Sequence, residues 1–456
     1  MSISTRSMPS TLVCAGCGAS PKPNDPYPFR CPGAGAGDDV DHVLRRILDV
    51  SAVQFPMVGN EQGDPNPYIR YRRLFHSYHE ARSGGMEDAE YCDLIARLDE
   101  QVANLNGHGF RTTPFGRADT LSNRMGFAED GGVWVKDETG NVSGSHKARH
   151  LFGLLVQLEV VERLGFTNPD HRRHLAIASC GNAALAAAVI AAAGDRVLEV
   201  FVPIDADPVV VARLKDLDAQ VTVCPREAGL PGDPTYHRLR WALAEGALPF
   251  TCQGNENGLA IESGFTLGYE MAEALMGELP LDHLVIQVGG GALASACIES
   301  LGEAALLGSL VRVPHYHAVQ TLGAAPLARA FERLAARLPA GVGLPEVRAA
   351  ISYAATHRSE FMWPWEEEPR SIAHGILDDE TYDWLAVVEG MLIWGGGPVV
   401  VSEELLARAN ALAVDATHID VDPTGSAGLA GLLALRDQGA IGEHERVGVL
   451  FTGVRR

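Results

Sequence analysis

The sequence predicts an α/β fold whose sheets are open, twisted, mostly parallel and flanked by helices. Short apolar and β-branched runs alternate with helical segments, which is typical of a parallel sheet covered on both faces. Glycine- or serine-containing turns follow two of these runs, S-C-G-N at 179–182 and G-G-G-A-L at 289–293. Because ligands bind at the carboxyl ends of strands in such sheets, these turns are candidate binding sites.

The strands can be assigned in order along the chain. They are expected at V-W-V-K (133–136), L-A-I-A-S (175–179), L-E-V-F-V-P (198–203), Q-V-T-V-C (220–224), L-V-I-Q-V (284–288) and V-G-V-L-F-T (447–452). Helices are expected from Lys147, after C-G-N, over 209–219 and after G-G-G-A-L. The pattern therefore alternates strand and helix through most of the chain.

The amino-terminal part of the chain has a different composition. Residues 1–40 are rich in Pro, Gly and Cys, which predicts an irregular segment. Residues 41–105 mix charged and apolar residues, as in D-H-V-L-R-R-I-L and E-Y-C-D-L-I-A-R-L, and are expected to form a helical extension.

The bulk composition excludes several classes of function. A net charge of −21 argues against nucleic-acid binding, which needs a basic surface. No apolar run is long enough to span a membrane, and the first residues lack the apolar core of a signal peptide, so we expect a cytoplasmic protein. The eight cysteines are then not expected to form a disulfide framework. A length of 456 residues predicts two to three domains.

One lysine stands in an unusual setting. Lys147 follows a run of small residues in S-G-S-H-K-A-R-H (143–150) and begins a predicted helix. A solvated surface lysine needs no such setting, whereas a lysine that bonds covalently to a cofactor does. Lys147 is therefore the first candidate catalytic residue.

Four stretches together resemble the motifs of one family. V-K-D-E-T-G-N-V-S-G-S-H-K-A-R is similar to K-x-E-x-x-x-P-T-G-S-F-K-D-R, and A-S-C-G-N-A-A to A-S-T-G-N-x-A. A-I-E-S-G-F-T-L-G-Y-E (260–270) and V-G-G-G-A-L resemble E-G-Q-x-T-x-x-x-E and V-G-G-G-G-L. The family is that of the fold-type II pyridoxal-phosphate (PLP) enzymes, the tryptophan synthase β-subunit superfamily, and within it the threonine synthase and threonine/serine dehydratase branch. The matches span residues 130–453.

The resemblance implies an architecture and partners. It implies two open twisted sheets, a large PLP-binding domain (106–155 and 255–456) and a small mobile domain (156–254). It further implies PLP as the cofactor, an amino acid as the small-molecule substrate, and a homodimer.

The resemblance also implies roles for particular residues. Lys147 would form the Schiff base with the cofactor and move the substrate α-proton. Thr452 would contact the pyridine nitrogen, and Asn182 the phenolic oxygen. The phosphate would be held by Gly289, Gly290, Gly291 and Ala292. The substrate carboxylate would be held by Ser179, Cys180, Gly181, Asn182 and Ala183.

Three positions depart from the family pattern. His146 stands where the family has Phe, Ala148 where threonine synthases have Asp, and Cys180 where Thr, Ser or Ala is usual. His146 could be a second acid/base beside the substrate, although we expect a ring packed under the cofactor. Cys180 is expected to act as a small hydrophobe rather than as a reactive thiol. Asp422, in D-P-T-G-S-A-G-L, could face the active site.

The cysteines near the amino terminus form C-x2-C-x13-C. Cys14, Cys17 and Cys31 resemble the zinc ribbon at the start of many threonine synthases, but Ala34 occupies the fourth position. A structural zinc site needs four ligands, and His42 or Asp41 could supply the missing one. We expect instead a degenerate ribbon that binds no metal.

The reaction is expected to be a β-elimination. The loop G-G-G-A-L is closer to that of the dehydratases than to the G-N-A-G-N loop of threonine synthases. We therefore expect a lyase that acts on a β-hydroxy or β-substituted amino acid through an aminoacrylate intermediate. The alternative is a β- or γ-replacement synthase, similar to threonine synthase or cysteine synthase.

Two further features bear on the substrate. Because the sequence ends at Arg456, soon after Thr452, we do not expect an allosteric biosynthetic threonine dehydratase with a regulatory domain. An insertion from about 310 to 400, with F-M-W-P-W-E-E-E-P-R, could shape a pocket for a specialised amino acid.

Overall fold

Two mostly parallel sheets with helices on their faces organise the structure, a computed structural model that describes residues 8–35, 37–56, 63–226, 233–339 and 341–456. The α/β prediction is confirmed. The strands are β1 (Ser10–Cys14), β2 (Leu44–Leu48), β3 (Phe115–Arg117), β4 (Gly132–Asp137), β5 (Leu175–Ala178), β6 (Leu198–Val202), β7 (Gln220–Val223), β8 (Leu248–Pro249), β9 (His283–Gln287), β10 (His315–Thr321), β11 (Gly396–Val401) and β12 (Arg446–Phe451).

The helices connect these strands and cover the sheets. They are α1 (Pro67–Arg70), α2 (His76–Ser83), α3 (Asp88–Asn106), α4 (Asp119–Arg124), α5 (Lys147–Arg163), α6 (Asn182–Ala193), α7 (Pro208–Asp216), α8 (Pro234–Ala244), α9 (Leu259–Ser263), α10 (Thr266–Ala274), α11 (Ala292–Leu306), α12 (Pro326–Ala335), α13 (Leu344–Ala355), α14 (Trp384–Trp394), α15 (Glu403–Thr417) and α16 (Ala427–Asp437). Within the ranges that the structure describes, no helix combines the length and apolarity needed to cross a membrane.

The larger sheet has the strand order β11-β10-β9-β12-β4-β3, and only β3 runs antiparallel to its neighbour. Its strand β12 lies near the centre, where Val449 pairs with Val135 of β4 on one side and with Val285 of β9 on the other. The residues that follow β4, β9 and β12 therefore emerge at the same edge of the sheet.

The smaller sheet has the order β7-β6-β5-β8, with all neighbours parallel. Its strands fall between Leu175 and Pro249, inside the segment expected to form the small domain. The turn after β5 leads into α6, a helix of Asn182–Ala193 that is buried along most of its length. Independent movement of this sheet stays a prediction.

The amino-terminal segment corrects two expectations. D-H-V-L-R-R-I-L is not helical, because Leu44–Leu48 forms a strand that pairs antiparallel with Ser10–Cys14, inside the segment expected to be irregular. Leu44, Arg46 and Leu48 are buried in alternation, and the Arg46 guanidinium binds the carboxylates of neighbouring helices. Because Arg46 is charged but occupies a buried position, the sequence does not show the alternation of apolar and polar residues that predicts a strand. The expected helices of this extension do follow, as α1 to α3.

Candidate active site

The site is built on three helix starts and the end of the central strand. Lys147 is the first residue of α5, Asn182 of α6 and Ala292 of α11. The first N–H groups of a helix have no partner within it, so such starts can hold anions. Helix α5 is buried from Ala148 to Val161 except at Gly153, which fixes the position of the partly buried Lys147 at its amino-terminal end.

The segment before Lys147 is bound to the end of β12. The backbone N–H of His146 donates to the carbonyl of Thr452 at 3.2 Å, and Ser145 pairs with Gly453 in an isolated antiparallel bridge. These contacts place Lys147 beside Thr452. The two expected cofactor contacts, from distant parts of the sequence, are therefore neighbours.

The start of α6 reaches the same strand end. The Asn182 side-chain nitrogen lies 2.9 Å from the position that a Cβ on Gly453 would take. Its oxygen accepts a hydrogen bond from Arg456 Nε at 3.1 Å, and Arg456 Nη2 donates to the carbonyl of Ser143 at 2.7 Å. Arg456 thus joins the predicted substrate loop to the turn before Lys147. Sequence reasoning missed Arg456, since a terminal arginine carries no motif.

The glycine loop can form an anion cup. Gly291 has φ of 101°, a left-handed conformation that glycine adopts without strain. A Cβ on Gly289 would lie 2.3 Å from Asp378 Oδ2, and one on Gly290 would lie 2.9 Å from Tyr382. The Asp378 carboxylate lies against this loop, and the Gly290 N–H opposes the rise that burial causes in its pKa. The loop and the start of α11 fit a phosphate group.

Lys147 lies within electrostatic reach of two carboxyls beside this loop. Burial raises the pKa of Asp378 to about 6, and the Lys147 charge opposes that rise. Burial and the neighbouring Asp41 raise the pKa of Asp383 well above its ordinary value. The backbone N–H of Asp383 also donates to the Gly290 carbonyl at 2.9 Å. The lysine and the glycine loop therefore share one electrostatic environment.

A buried ion network underlies the helix that carries Lys147. Arg149 makes a bidentate contact with Glu138, with nitrogen–oxygen distances of 2.7 and 2.9 Å, and binds Glu270 at 2.6 Å. Lys136 binds the same Glu270 at 2.5 Å, and all four side chains are fully buried. Burial alone would raise the pKa of Glu270, but Arg149 and Lys136 hold it below its ordinary value. The motif positions around Lys147 are thus explained by a structural role that sequence reasoning did not assign.

The turn S-C-G-N-A opens toward solvent at the end of β5. Ser179, Gly181, Asn182 and Ala183 are half-buried, and Cys180 is exposed. The Ser179 hydroxyl accepts the N–H of Gly181 at 3.4 Å. Desolvation of its thiol raises the pKa of Cys180, and Asp205 and Asp233 add to the rise. A raised pKa disfavours the reactive thiolate.

Thr452 is buried, and one hydrogen bond determines how its hydroxyl is oriented. Its hydroxyl oxygen accepts from Gln287 Nε2 at 2.7 Å, which leaves its hydrogen free to be donated to an acceptor. An unprotonated pyridine nitrogen is such an acceptor. Gln287 was missed by sequence reasoning, although a polar residue inside the apolar strand L-V-I-Q-V was the available signal.

His146 is buried between Lys147 and Thr452. Its Nδ1 lies 3.3 Å from the Thr452 carbonyl, and its Nε2 has no partner. Its ring meets that of His150 edge-on, at 5.6 Å between centroids. Burial and the neighbouring Lys147 charge hold the pKa of His146 well below its ordinary value. The ring is therefore neutral near pH 7.

Asp422 lies at the edge of the same site. One of its oxygens accepts the N–H of Gly425 at 2.5 Å, and the other lies 3.3 Å from the position of a Cβ on Gly453. Burial raises its pKa, and the Gly425 N–H opposes that rise.

The three amino-terminal cysteines form a second site with a histidine. Possible ligand atoms of Cys14, Cys17, Cys31 and His42 all lie within 4.8 Å of one another. The set of four donors is complete, against the expectation of a degenerate ribbon. Of the two residues considered for the fourth position, His42 is placed there, whereas Asp41 binds Trp384.

The whole catalytic region of the chain matches one family of enzymes. The family described as pyridoxal-phosphate dependent enzyme matches residues 108–453. The chain belongs to this family. Its cofactor is accordingly pyridoxal 5′-phosphate, and its fold is that of the fold-type II enzymes in the threonine synthase and dehydratase branch.

Characterised relatives are distant. The chain is 24% identical to threonine synthase of Methanosarcina acetivorans over 387 residues, covering 80% of this chain and 78% of the relative. It is 23% identical to threonine synthase of Methanocaldococcus jannaschii over 364 residues, with the same coverage. Processed threonine deaminase isoform 2 from Solanum lycopersicum has a similar structure, with a TM-score of 0.58 and 16% identity over 89% of this chain and 94% of that one.

Proposed function

We propose that this PLP-dependent enzyme is a lyase that catalyses β-elimination on a β-hydroxy or β-substituted amino acid. The observation that carries the proposal is the glycine loop. G-G-G-A-L is closer to the loop of the dehydratases than to the G-N-A-G-N loop of threonine synthases, and a Cβ on Gly290 would lie only 2.9 Å from Tyr382.

The residues of the site have complementary roles in this proposal. PLP supplies an electron sink for negative charge that develops at the substrate α-carbon. Lys147 would hold the cofactor and move the α-proton with its amine. The N–H groups of the glycine loop and the start of α11, from Gly289 to Ala292, would bind the phosphate. Thr452 would donate its hydroxyl hydrogen to the pyridine nitrogen.

The substrate would be oriented by the start of α6. The residues Ser179 to Ala183 present helix N–H groups that suit a carboxylate, and the Asn182 amide lies beside the Thr452 strand end. A neutral hydroxyl such as that of Thr452 would leave the pyridine nitrogen unprotonated. This would weaken the electron sink and favour loss of a β-substituent over transamination. His146, neutral and buried, would pack against the cofactor.

A replacement synthase is the second candidate. Both relatives reported above are threonine synthases, which supports a β- or γ-replacement reaction. After the substituent has left, an elimination enzyme releases a keto acid and ammonia, whereas a replacement synthase adds a second substrate to the bound carbon skeleton and releases a new amino acid. Keto-acid release therefore distinguishes them.

The test is a keto-acid assay on the purified holoenzyme. L-Serine, L-threonine, their O-acetyl and O-phospho forms, and O-phospho-L-homoserine are supplied separately, with Lys147→Ala as the inactive control. Keto acid from the unphosphorylated amino acids supports the lyase. Consumption of O-phosphohomoserine with formation of threonine, and no keto acid, would contradict the lyase proposal and identify the enzyme as a synthase.

We further propose that the enzyme is a cytoplasmic homodimer, by analogy with the family. Size-exclusion chromatography with light scattering would measure twice the mass of one chain. A monomer that is active at assay concentrations would contradict the dimer.

A further inference from the structure

The four amino-terminal donors have the spacing of a metal centre. The Cys17 and Cys31 sulfurs are 3.4 Å apart, and the Cys14 sulfur is 3.5 Å from His42 Nδ1. Ligands about 2.3 Å from a tetrahedral zinc ion lie about 3.7 Å apart, close to these distances. Cys14 and Cys31 are buried, and His42 is largely buried. Three thiolates and an imidazole suit zinc better than hard, oxygen-binding cations.

The β1–β2 pair brings His42 to the cysteines. Cys14 ends β1, and His42 stands two residues before β2, so the antiparallel pairing places them together. The other ring nitrogen of His42 lies 3.0 Å from an Asp38 oxygen. A carboxylate in that position orients a metal-binding imidazole and increases its basicity. His42 therefore has both the position and the support of a ligand.

We propose that Cys14, Cys17, Cys31 and His42 bind one zinc ion, and that this centre positions the glycine loop of the active site through Asp41. Asp41, the residue before His42, connects the metal site to the segment that contacts the glycine loop. The second part rests on the phosphate-binding role proposed above, whereas the first part does not.

Asp41 fixes the ribbon to the carboxyl-terminal half of the chain. Its side chain is 3% exposed and accepts hydrogen bonds from Trp384 Nε1 at 3.1 Å and from Arg358 Nε at 3.3 Å. Its backbone N–H donates to the Ala355 carbonyl at 2.8 Å. Movement of His42 would move Asp41, since the two are adjacent in the chain.

Trp384 is in turn next to the glycine loop. Its neighbour Asp383 donates its backbone N–H to the Gly290 carbonyl at 2.9 Å, and Thr381 donates its hydroxyl to the Gly289 carbonyl at 2.9 Å. Trp384 is completely buried and stacks on Phe361. The segment 381–384 thus connects Asp41 to the backbone of the loop.

The metal is tested first, on full-length protein purified without added metal. Elemental analysis should find one zinc per chain, lost in His42→Ala and kept in His42→Cys, which supplies another thiolate. The surface variant His171→Ala should keep its zinc. Wild-type protein free of metal, or with a disulfide between Cys17 and Cys31, would overturn the site even if His42→Ala does not fold.

The coupling is tested by the affinity of the apoenzyme for PLP, measured by fluorescence titration without turnover. Trp384→Phe keeps the buried ring but loses the N–H, and should weaken PLP binding about tenfold while zinc stays bound. Asp41→Asn keeps an acceptor oxygen and should remain nearer the wild type. Trp394→Phe, at the half-exposed end of the same helix, is the matched control.

Removal of zinc with a chelator should weaken PLP binding in the wild type. Unchanged PLP affinity in Trp384→Phe, or after zinc removal, would overturn the coupling and leave the metal site standing. Failure of the proposed reaction would alter neither readout.

Discussion

Oδ2 of Asp378 lies 2.3 Å from the position that a Cβ on Gly289 would take. Asp378 belongs to the segment 310–400, which the family motifs do not cover, yet one of its oxygens lies against the glycine loop. The phosphate of PLP would need the N–H groups of this loop and would bring negative charge to the same place. We therefore expect Asp378 to oppose phosphate binding, and the segment that carries Asp378 to adjust when PLP binds.

Removing this charge should strengthen cofactor binding. Asp378→Asn abolishes the repulsion between carboxylate and phosphate, and we expect PLP to bind the apoenzyme about tenfold more tightly. Fluorescence titration of the apoenzyme measures the affinity. Asp379→Asn, at the adjacent residue, is the control and should change affinity little. Weaker binding in Asp378→Asn would instead show that the carboxylate supports the loop.

The same substitution should change the pH dependence of stability. Burial raises the pKa of Asp378 to about 6 in the folded chain, above its ordinary value of 3.8. Ionisation of Asp378 therefore lowers the free energy of unfolding. This cost is absent below the unfolded pKa of 3.8, grows as the pH rises from there to about 6, and is complete above 6.

Asp378→Asn removes that cost. The variant apoenzyme should match the wild type near pH 3 and exceed its free energy of unfolding by up to about 3 kcal/mol at pH 7.5. Urea unfolding at a series of pH values measures the difference. A difference that does not vary with pH would rule out ionisation of Asp378 as its cause.

The sequence was informative where chemistry is local. Lys147, Asn182 and Ala292 begin helices as expected, because glycine-rich turns after apolar strands specify where the backbone changes direction. Arg456 acts through Asn182, 274 residues away, so no local pattern could identify it. Gln287 left one local signal, a polar residue inside an apolar strand, but its partner Thr452 is distant in the chain.

Charged residues in the interior were the main obstacle to prediction. Arg46 gave the second strand a helical appearance, although its guanidinium is neutralised by Glu262 and Glu303 from elsewhere in the chain. The choice of His42 rather than Asp41 as the fourth donor likewise depends on a distant residue, Trp384. A single sequence does not reveal such tertiary pairing.

The buried network beneath Lys147 should be essential for stability. Arg149→Met leaves Glu138 and Glu270 without their main countercharge, and we expect a loss of about 3–5 kcal/mol in the free energy of unfolding. Arg124→Met, whose exposed side chain binds Asp415, is the matched control and should cost about 1 kcal/mol or less. Urea unfolding followed by circular dichroism compares the two. Equal losses would mean that the buried network contributes no more than a surface pair.

Substitution of His146 by the phenylalanine of the family pattern should test its role. The ring is neutral near pH 7, because burial and Lys147 hold its pKa far below 6.5, and its Nδ1 faces the Thr452 carbonyl. A neutral imidazole whose N–H faces a carbonyl has no proton to give to a leaving group. His146→Phe should therefore keep kcat within about threefold, whereas loss of a general acid or base costs about a hundredfold or more. The keto-acid assay across pH 6–9 measures both the rate and its pH profile. A hundredfold loss of kcat, together with the disappearance of one side of the pH–rate profile, would show that His146 is a catalytic residue rather than a packing residue.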